Sequence, residues 1–178
     1  NIVSNEGSIV YNPGVNTGIL TVHASSFRNC VAKKNSGAIF FKGSTFTITS
    51  VCFEDCGSNE GVGSLIHATS SSLIKLRSIQ ACKNYVDTET TDIISIIGPI
   101  TFYAKGSNMS CIEQKGSAIK INAETDNSLE IREFIFNRFK ETTAIELKGN
   151  RECTISTVLF DDLVAKKSPV LSFAKNQA

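Results

Sequence analysis

The sequence has no tryptophan, one methionine, three prolines and two histidines among its 178 residues. With only His23 and His67 available, no serine or cysteine nucleophile shows a partnered base. Long apolar runs are also missing. The longest, "IISIIGPITF" (93–102), is interrupted by Gly98 and Pro99 and is too short to span a bilayer. The six cysteines include no CxxC pair, which removes the short paired spacings of a zinc site. A formal net charge of +1 gives no electrostatic reason to expect a nucleic acid or an anionic membrane as partner. No motif implies a cofactor.

What is present suits a folded chain. Hydrophobic content of 41% with 20% charged residues argues against disorder, and the length allows one domain with a sizeable core. The chain opens at Asn1 without an initiator methionine or a signal peptide, so the expectation is a processed or partial product. Residues 1–178 read as a single domain, a segment of a longer chain.

One motif recurs. "SSFRNC" (25–30), "SVCFEDC" (50–56) and "RSIQAC" (77–82) each place an apolar residue three positions before a cysteine, and Cys30, Cys56 and Cys82 lie 26 residues apart. A catalytic cysteine would occur once, so recurrence at a fixed interval points to architecture. Walking back from each cysteine, period-two alternation gives inward candidates: Phe27, Ser26, Ala24 and Val22, then Phe53, Cys52, Ser50 and Ile48, then Ile79, Ser78, Leu76 and Ile74. Later copies end on larger apolar residues: Met109 with Ile112, Phe136 with Phe139, Phe160 with Leu163. A second signature, "GSI" (7–9), "GAI" (37–39), "GSL" (63–65) and "GSAI" (116–119), opens each unit, with glycine supplying a positive-φ corner. Strand pairs after it include Leu65 with His67 and Ile119 with Ile121.

Short alternating strands with almost no helix signal, repeating every 26 residues or so, predict a right-handed parallel β-helix of about six coils. One coil cannot bury its own apolar face, whereas stacked coils can. Two internal ladders follow: Phe27, Phe53, Ile79, Met109, Phe136, Phe160, and Cys30, Cys56, Cys82, Ile112, Phe139, Leu163. Cysteine then serves as a small buried hydrophobe. The Cα spacing of about 4.8 Å allows disulfides within the ladder but does not favour them, because parallel Cβ vectors leave the Cβ atoms about 1 Å too far apart.

Read together, "FRNCVAKKNSGAIFF" (27–41) resembles the Phe-x-x-Asn and Gly-Gly-Ala-Ile repeats of the polymorphic outer membrane proteins, with cysteine in place of asparagine. It is similar also to Phe-x-x-Cys variants in surface repeat proteins of some protists. The resemblance implies a pectin-lyase-like β-helix, secreted or displayed at a cell surface, with structural or adhesive work and no catalytic residues to transfer.

Candidate sites are few. Glu54-Asp55 and Asp161-Asp162 sit four coils apart, near 19 Å by stacking distance, whereas paired catalytic carboxylates need about 5 to 9.5 Å. The inserted loop "KNYVDTETTD" (83–92) offers Asp87, Glu89 and Asp92, with Glu113 at the same corner, as ligands for calcium; a solvated loop is the simpler reading. His67 is expected as a satisfied core residue. The one N-glycosylation sequon, "NMS" (108–110), puts Asn108 at a position expected to be semi-buried. The expected function is structural or adhesive, with self-association or other subunits through open β-helix ends, and possible contact with glycan through Thr47, Thr49, Lys75, Arg77, Glu130 and Arg132. The alternative is a carbohydrate-active or carbohydrate-binding β-helix.

Overall fold

A computed structural model describes residues 2–4, 9–11, 17–33, 36–58, 65–82, 85–86, 92–98, 101–113, 116–122, 128–140, 143–149, 152–164 and 169–174. Calcium candidates Asp87 and Glu89 lie outside these, as do the side chains of Glu113, Ile112 and Phe139. The strands are β1 (Ile2–Ser4), β2 (Ile9–Tyr11), β3 (Ile19–Arg28), β4 (Cys30–Ala32), β5 (Ile39–Glu54), β6 (Gly57–Ser58), β7 (Ile66–Cys82) and β8 (Tyr85–Val86). They continue with β9 (Ile94–Ile97), β10 (Thr101–Glu113), β11 (Ser117–Asn122), β12 (Leu129–Lys140), β13 (Thr143–Lys148), β14 (Cys153–Asp161) and β15 (Leu171–Ala174).

Among the described residues every strand pairing is parallel and joins one coil to the next, which makes the fold an all-β parallel solenoid. A long wall stacks β3, the second part of β5, β7, β10, β12 and β14. An opposing wall stacks β2, the starts of β5 and β7, then β9, β11, β13 and β15. A short wall joins β1, β4, β6 and β8. All three walls are described together for about four turns, spaced ~27 residues apart, against the six coils expected from the motif count; the long wall by itself carries six rungs.

The long wall bends at one residue in every rung. Ala24, Ser50, Ser78, Gly106, Glu133 and Thr157 all have positive φ, between 46° and 64°, and occupy equivalent places in successive strands. A second corner carries Asn29, Asp55, Arg138 and Asp162, again with positive φ. A left-handed residue costs an L-side chain about 1–2 kcal/mol, so the bend persists because the packed walls on both sides fix it.

These corners correct the inward assignments. Each left-handed residue uses one position without changing the side of the sheet that follows, so the inward phase jumps by three instead of two. Ile48, Val51, Phe53 and Cys56 are therefore all buried, while Ser50 is exposed. Ala24, Ser26 and Ser78 are exposed as well, and Cys52 is half-buried. The Phe-x-x-Cys spacing is a strand residue, an outward residue, a left-handed corner and the next inward residue.

The ladder register also differs from expectation at the third coil. Phe27 pairs with Phe53, but Phe53 pairs with Ala81 and Ala81 with Met109, which leads to Phe136 and Phe160. Ile79 is level with Val51 instead, and Cys82 with Glu54 and Ser110. The cause is an irregularity between Gly43 and Thr45 that lengthens the step: residue 39 pairs with 66, an offset of 27, but 45 pairs with 73, an offset of 28. The interval of 26 from Cys56 to Cys82 is thus not a structural repeat.

The core is the column of rings inside. Phe27 stacks on Phe53 at 5.2 Å, Phe41 on Phe46 at 4.9 Å, and Phe136 on Phe160 at 5.4 Å between centroids. Ala81 is the small step in this column, and the flexible Met109 packs next to it. Gly37 is required by a close approach and not by positive φ: a Cβ there would sit 1.9 Å from the Gly57 carbonyl oxygen of the next coil.

Candidate functional site

Chemistry-bearing side chains gather at two places outside the ring column. The first is on the opposing wall. Its outward row runs Phe40, His67, Ser95, Lys120, Glu146 and Ser172 across successive rungs. His67 therefore belongs to the outward row and not to the inward slot expected for it; Ile66 and Ala68 are the residues level with Ile39 and Phe41. It is nonetheless 8% exposed, stacks on Phe40 at 5.4 Å, and its Nδ1 has no hydrogen-bond partner among the described residues. Burial pushes its pKa below the ordinary 6.5, so the imidazole is held neutral.

Further along the row three coils are tied together. Asp92 Oδ1 accepts from the Ser117 amide at 2.9 Å, and Asp92 Oδ2 lies 3.4 Å from Lys120 Nζ. Glu146 Oε2 accepts from the Ser117 hydroxyl at 2.8 Å and lies 3.6 Å from the same Lys120 Nζ. Lys148 approaches Glu146 Oε1 at 3.2 Å. Burial pushes the Asp92 carboxyl above its ordinary value, and the Ser117 amide and Lys120 only partly offset it. Burial pushes Glu146 upward too, but the Ser117 hydroxyl, Lys120 and Lys148 together bring it below its ordinary value. As a calcium ligand Asp92 would have to give up a lysine ammonium already beside it. No metal-holding group of three or more His, Cys, Asp or Glu exists among the described residues.

The second place is the outward surface of the long wall. Two columns cross β7, β10 and β12: Lys75, Tyr103, Glu130 and Arg77, Lys105, Arg132. The Arg77 guanidinium lies 5.2 Å over the Tyr103 ring. Lys105 pairs with Glu133 at 3.2 Å, and Arg132 pairs with Glu130 in its own strand. Among the described residues neither Lys75 nor Arg77 has a carboxylate partner. Threonines and serines flank the columns: Thr47 and Thr49 on one side, Thr154 and Ser156 on the other.

The cysteines do corner work. Cys30 Sγ donates to the Arg28 carbonyl at 3.5 Å and Cys56 Sγ reaches that of Glu54 at 3.4 Å, each two residues back across a left-handed corner. Ser25 and Ser107 make the same bond at the other corner, to His23 at 2.8 Å and Lys105 at 3.3 Å. Cys56 also lies 3.4 Å from the Phe27 carbonyl of the preceding coil, and burial pushes its thiol pKa up to about 12. A thiol so disfavoured as thiolate is no nucleophile. Period-two counting missed this role; the signal available was a Ser or Cys directly after an Asn, Asp, Gly or Ala at a repeated phase. Asn108 is exposed, level with Gln80 and Ile135, and not semi-buried as expected. Glu54 is paired with Arg28 at 3.2 Å, and Cys82, Ser110 and Asn137 separate it from Asp161 in their column.

Comparison with known proteins finds no matching family model, no matching curated protein and no matching solved structure.

Proposed function

We propose that this protein is a structural or adhesive solenoid module of a secreted or surface-displayed chain, acting by binding or assembly and not by catalysis. One observation carries the reading. The acidic groups with shifted protonation, Asp92 and Glu146, are engaged by Lys120 and Ser117 in coil-to-coil contacts, whereas Lys75 and Arg77 on the outward face of the long wall have no carboxylate partner among the described residues. The resemblance of residues 27–41 to polymorphic outer membrane protein repeats, in a right-handed pectin-lyase-like helix, supports the same surface role. The test combines sedimentation, a glycan-binding screen and a reducing-end assay on polysaccharides. Self-association or binding without new reducing ends supports the module; polysaccharide cleavage by the purified protein overturns it.

A second reading has one specific support. Asp92 and Glu146 flank a single lysine and their protonation preferences are pushed in opposite directions, as in an acid and base pair. A carbohydrate-active solenoid would lose its turnover in Asp92→Asn and in Glu146→Gln while remaining folded; turnover unchanged in both would eliminate this pair as the catalytic groups.

A further inference from the structure

We propose that the outward surface of β7, β10 and β12 on the long wall is a docking strip for an acidic polysaccharide, a chain carrying about one carboxylate or sulfate on each sugar. The inference rests on the reading of the protein as a binding module and names its partner. Arg77, Lys105 and Arg132 stand in register on three consecutive rungs, with Lys75 beside them. Parallel strands are about 4.8 Å apart, so the cations form a line along the solenoid axis with a step of roughly one pyranose ring. The whole chain has a formal charge of only +1, so four cations against Glu130 and Glu133 make a local concentration of positive charge.

The four cations differ in readiness, and Arg132 is already paired with Glu130 in its own strand. Arg77 is held over the Tyr103 ring, which fixes its fork before a ligand arrives and leaves its N–H groups for a bidentate anion. Lys75 has no carboxylate among the described residues. Lys105 is tied to Glu133, but the two side chains are 45% and 52% exposed, and so open a pair exchanges its partner at little cost. The strip ends in hydroxyls on both sides, Thr47 and Thr49 before it and Thr154 and Ser156 after it, which suit sugar hydroxyls and add no competing charge.

Two other polyanions fit less well. Single-stranded nucleic acid is held by several aromatic platforms on which bases stack; the strip has Tyr103 alone, and Arg77 already lies over its ring. An extended acidic peptide presents same-side anions about 6.7 Å apart, out of step with the rungs.

The test is calorimetric titration of the protein with an oligogalacturonate hexamer and, separately, a sulfated heparin-derived hexasaccharide. The two distinguish carboxylate from sulfate as the anion. Binding of either is expected, weakened by added salt and absent for the methyl-esterified galacturonate. Arg77→Ala should lower affinity about tenfold, and the Lys75→Ala/Arg77→Ala double variant about a hundredfold, for charge-assisted hydrogen bonds of ordinary strength. Lys42→Ala, on the exposed opposing wall, should leave it unchanged. Circular dichroism of each variant verifies that the fold is retained. The proposal is overturned if neither saccharide binds, if the double variant binds as well as the parent, or if polyglutamate or single-stranded DNA binds more tightly. Any of these accompanied by self-association or binding of a neutral glycan removes the strip and leaves the module; shortening of the hexamer during titration removes the module itself.

Discussion

The two charged regions use lysine and arginine in opposite ways. On the opposing wall Lys120 lies between Asp92 and Glu146, which belong to the coils on either side, and the carboxylate it neutralises most closely is 5% exposed. On the long wall Arg77 leans on an aromatic ring and the half-buried Lys75 has no carboxylate partner among the described residues. The rung geometry is the same in both. What differs is burial: a buried carboxylate requires its counter-ion, so the cation becomes part of the fold, whereas a cation on an open strand face contributes little to stability and remains free for a partner.

The comparison can be broken at its base by removing what both walls share. Phe53 is fully buried in the ring column, and Phe53→Ala should lower unfolding free energy by about 3–5 kcal/mol in denaturant titration. Equal loss from probes on the two walls is expected, because the coils are continuous between them.

A finer separation comes from pH. Glu146, with its folded pKa below the ordinary 4.5, contributes stability that is complete above that value and fades as pH falls through the folded one. Asp92 has the opposite sign: its folded pKa lies above the ordinary 3.8, so its ionisation weighs against the fold as pH rises past 3.8. Between roughly pH 3 and 5, Glu146→Gln should therefore flatten the rise of stability with pH, and Asp92→Asn should steepen it. Thermal unfolding across that range checks both slopes, and Lys75→Ala should change neither.

The smallest effect concerns the corners that both walls depend on. Thr157 is β-branched and sits at φ 54°, a conformation such residues rarely adopt. Thr157→Gly should raise stability by up to about 1 kcal/mol, the relief of strain exceeding the added freedom of the unfolded chain. Gly106→Val at the equivalent corner should lower it by a similar amount.

Much of the fold was legible because side-chain period and repeat length are properties of the chain itself. Phe27, Phe53, Met109, Phe136 and Phe160 could be aligned by inspection. Ile79 and Cys82 could not, because the register change near Gly43 depends on backbone geometry that no residue type announces. The corners were illegible for a related reason: Ala24, Glu133 and Thr157 are not turn-formers, and only the walls around them impose positive φ. The Asp92–Lys120–Glu146 cluster joins residues 25 to 29 apart through three coils, so it emerges only once register is known. The basic columns were half visible as outward Lys75, Arg77 and Arg132; their alignment with Lys105, and the seat of Arg77 on Tyr103, required the rungs.

The most direct measurement is equilibrium unfolding of Lys120→Ala beside Lys75→Ala/Arg77→Ala under the same conditions. Removing Lys120 leaves a buried carboxylate without its cation and should cost about 1–3 kcal/mol, while each outward substitution should stay within about 0.5 kcal/mol. A double variant as destabilised as Lys120→Ala would contradict the division of the two walls into one that holds the coils and one proposed to meet a partner.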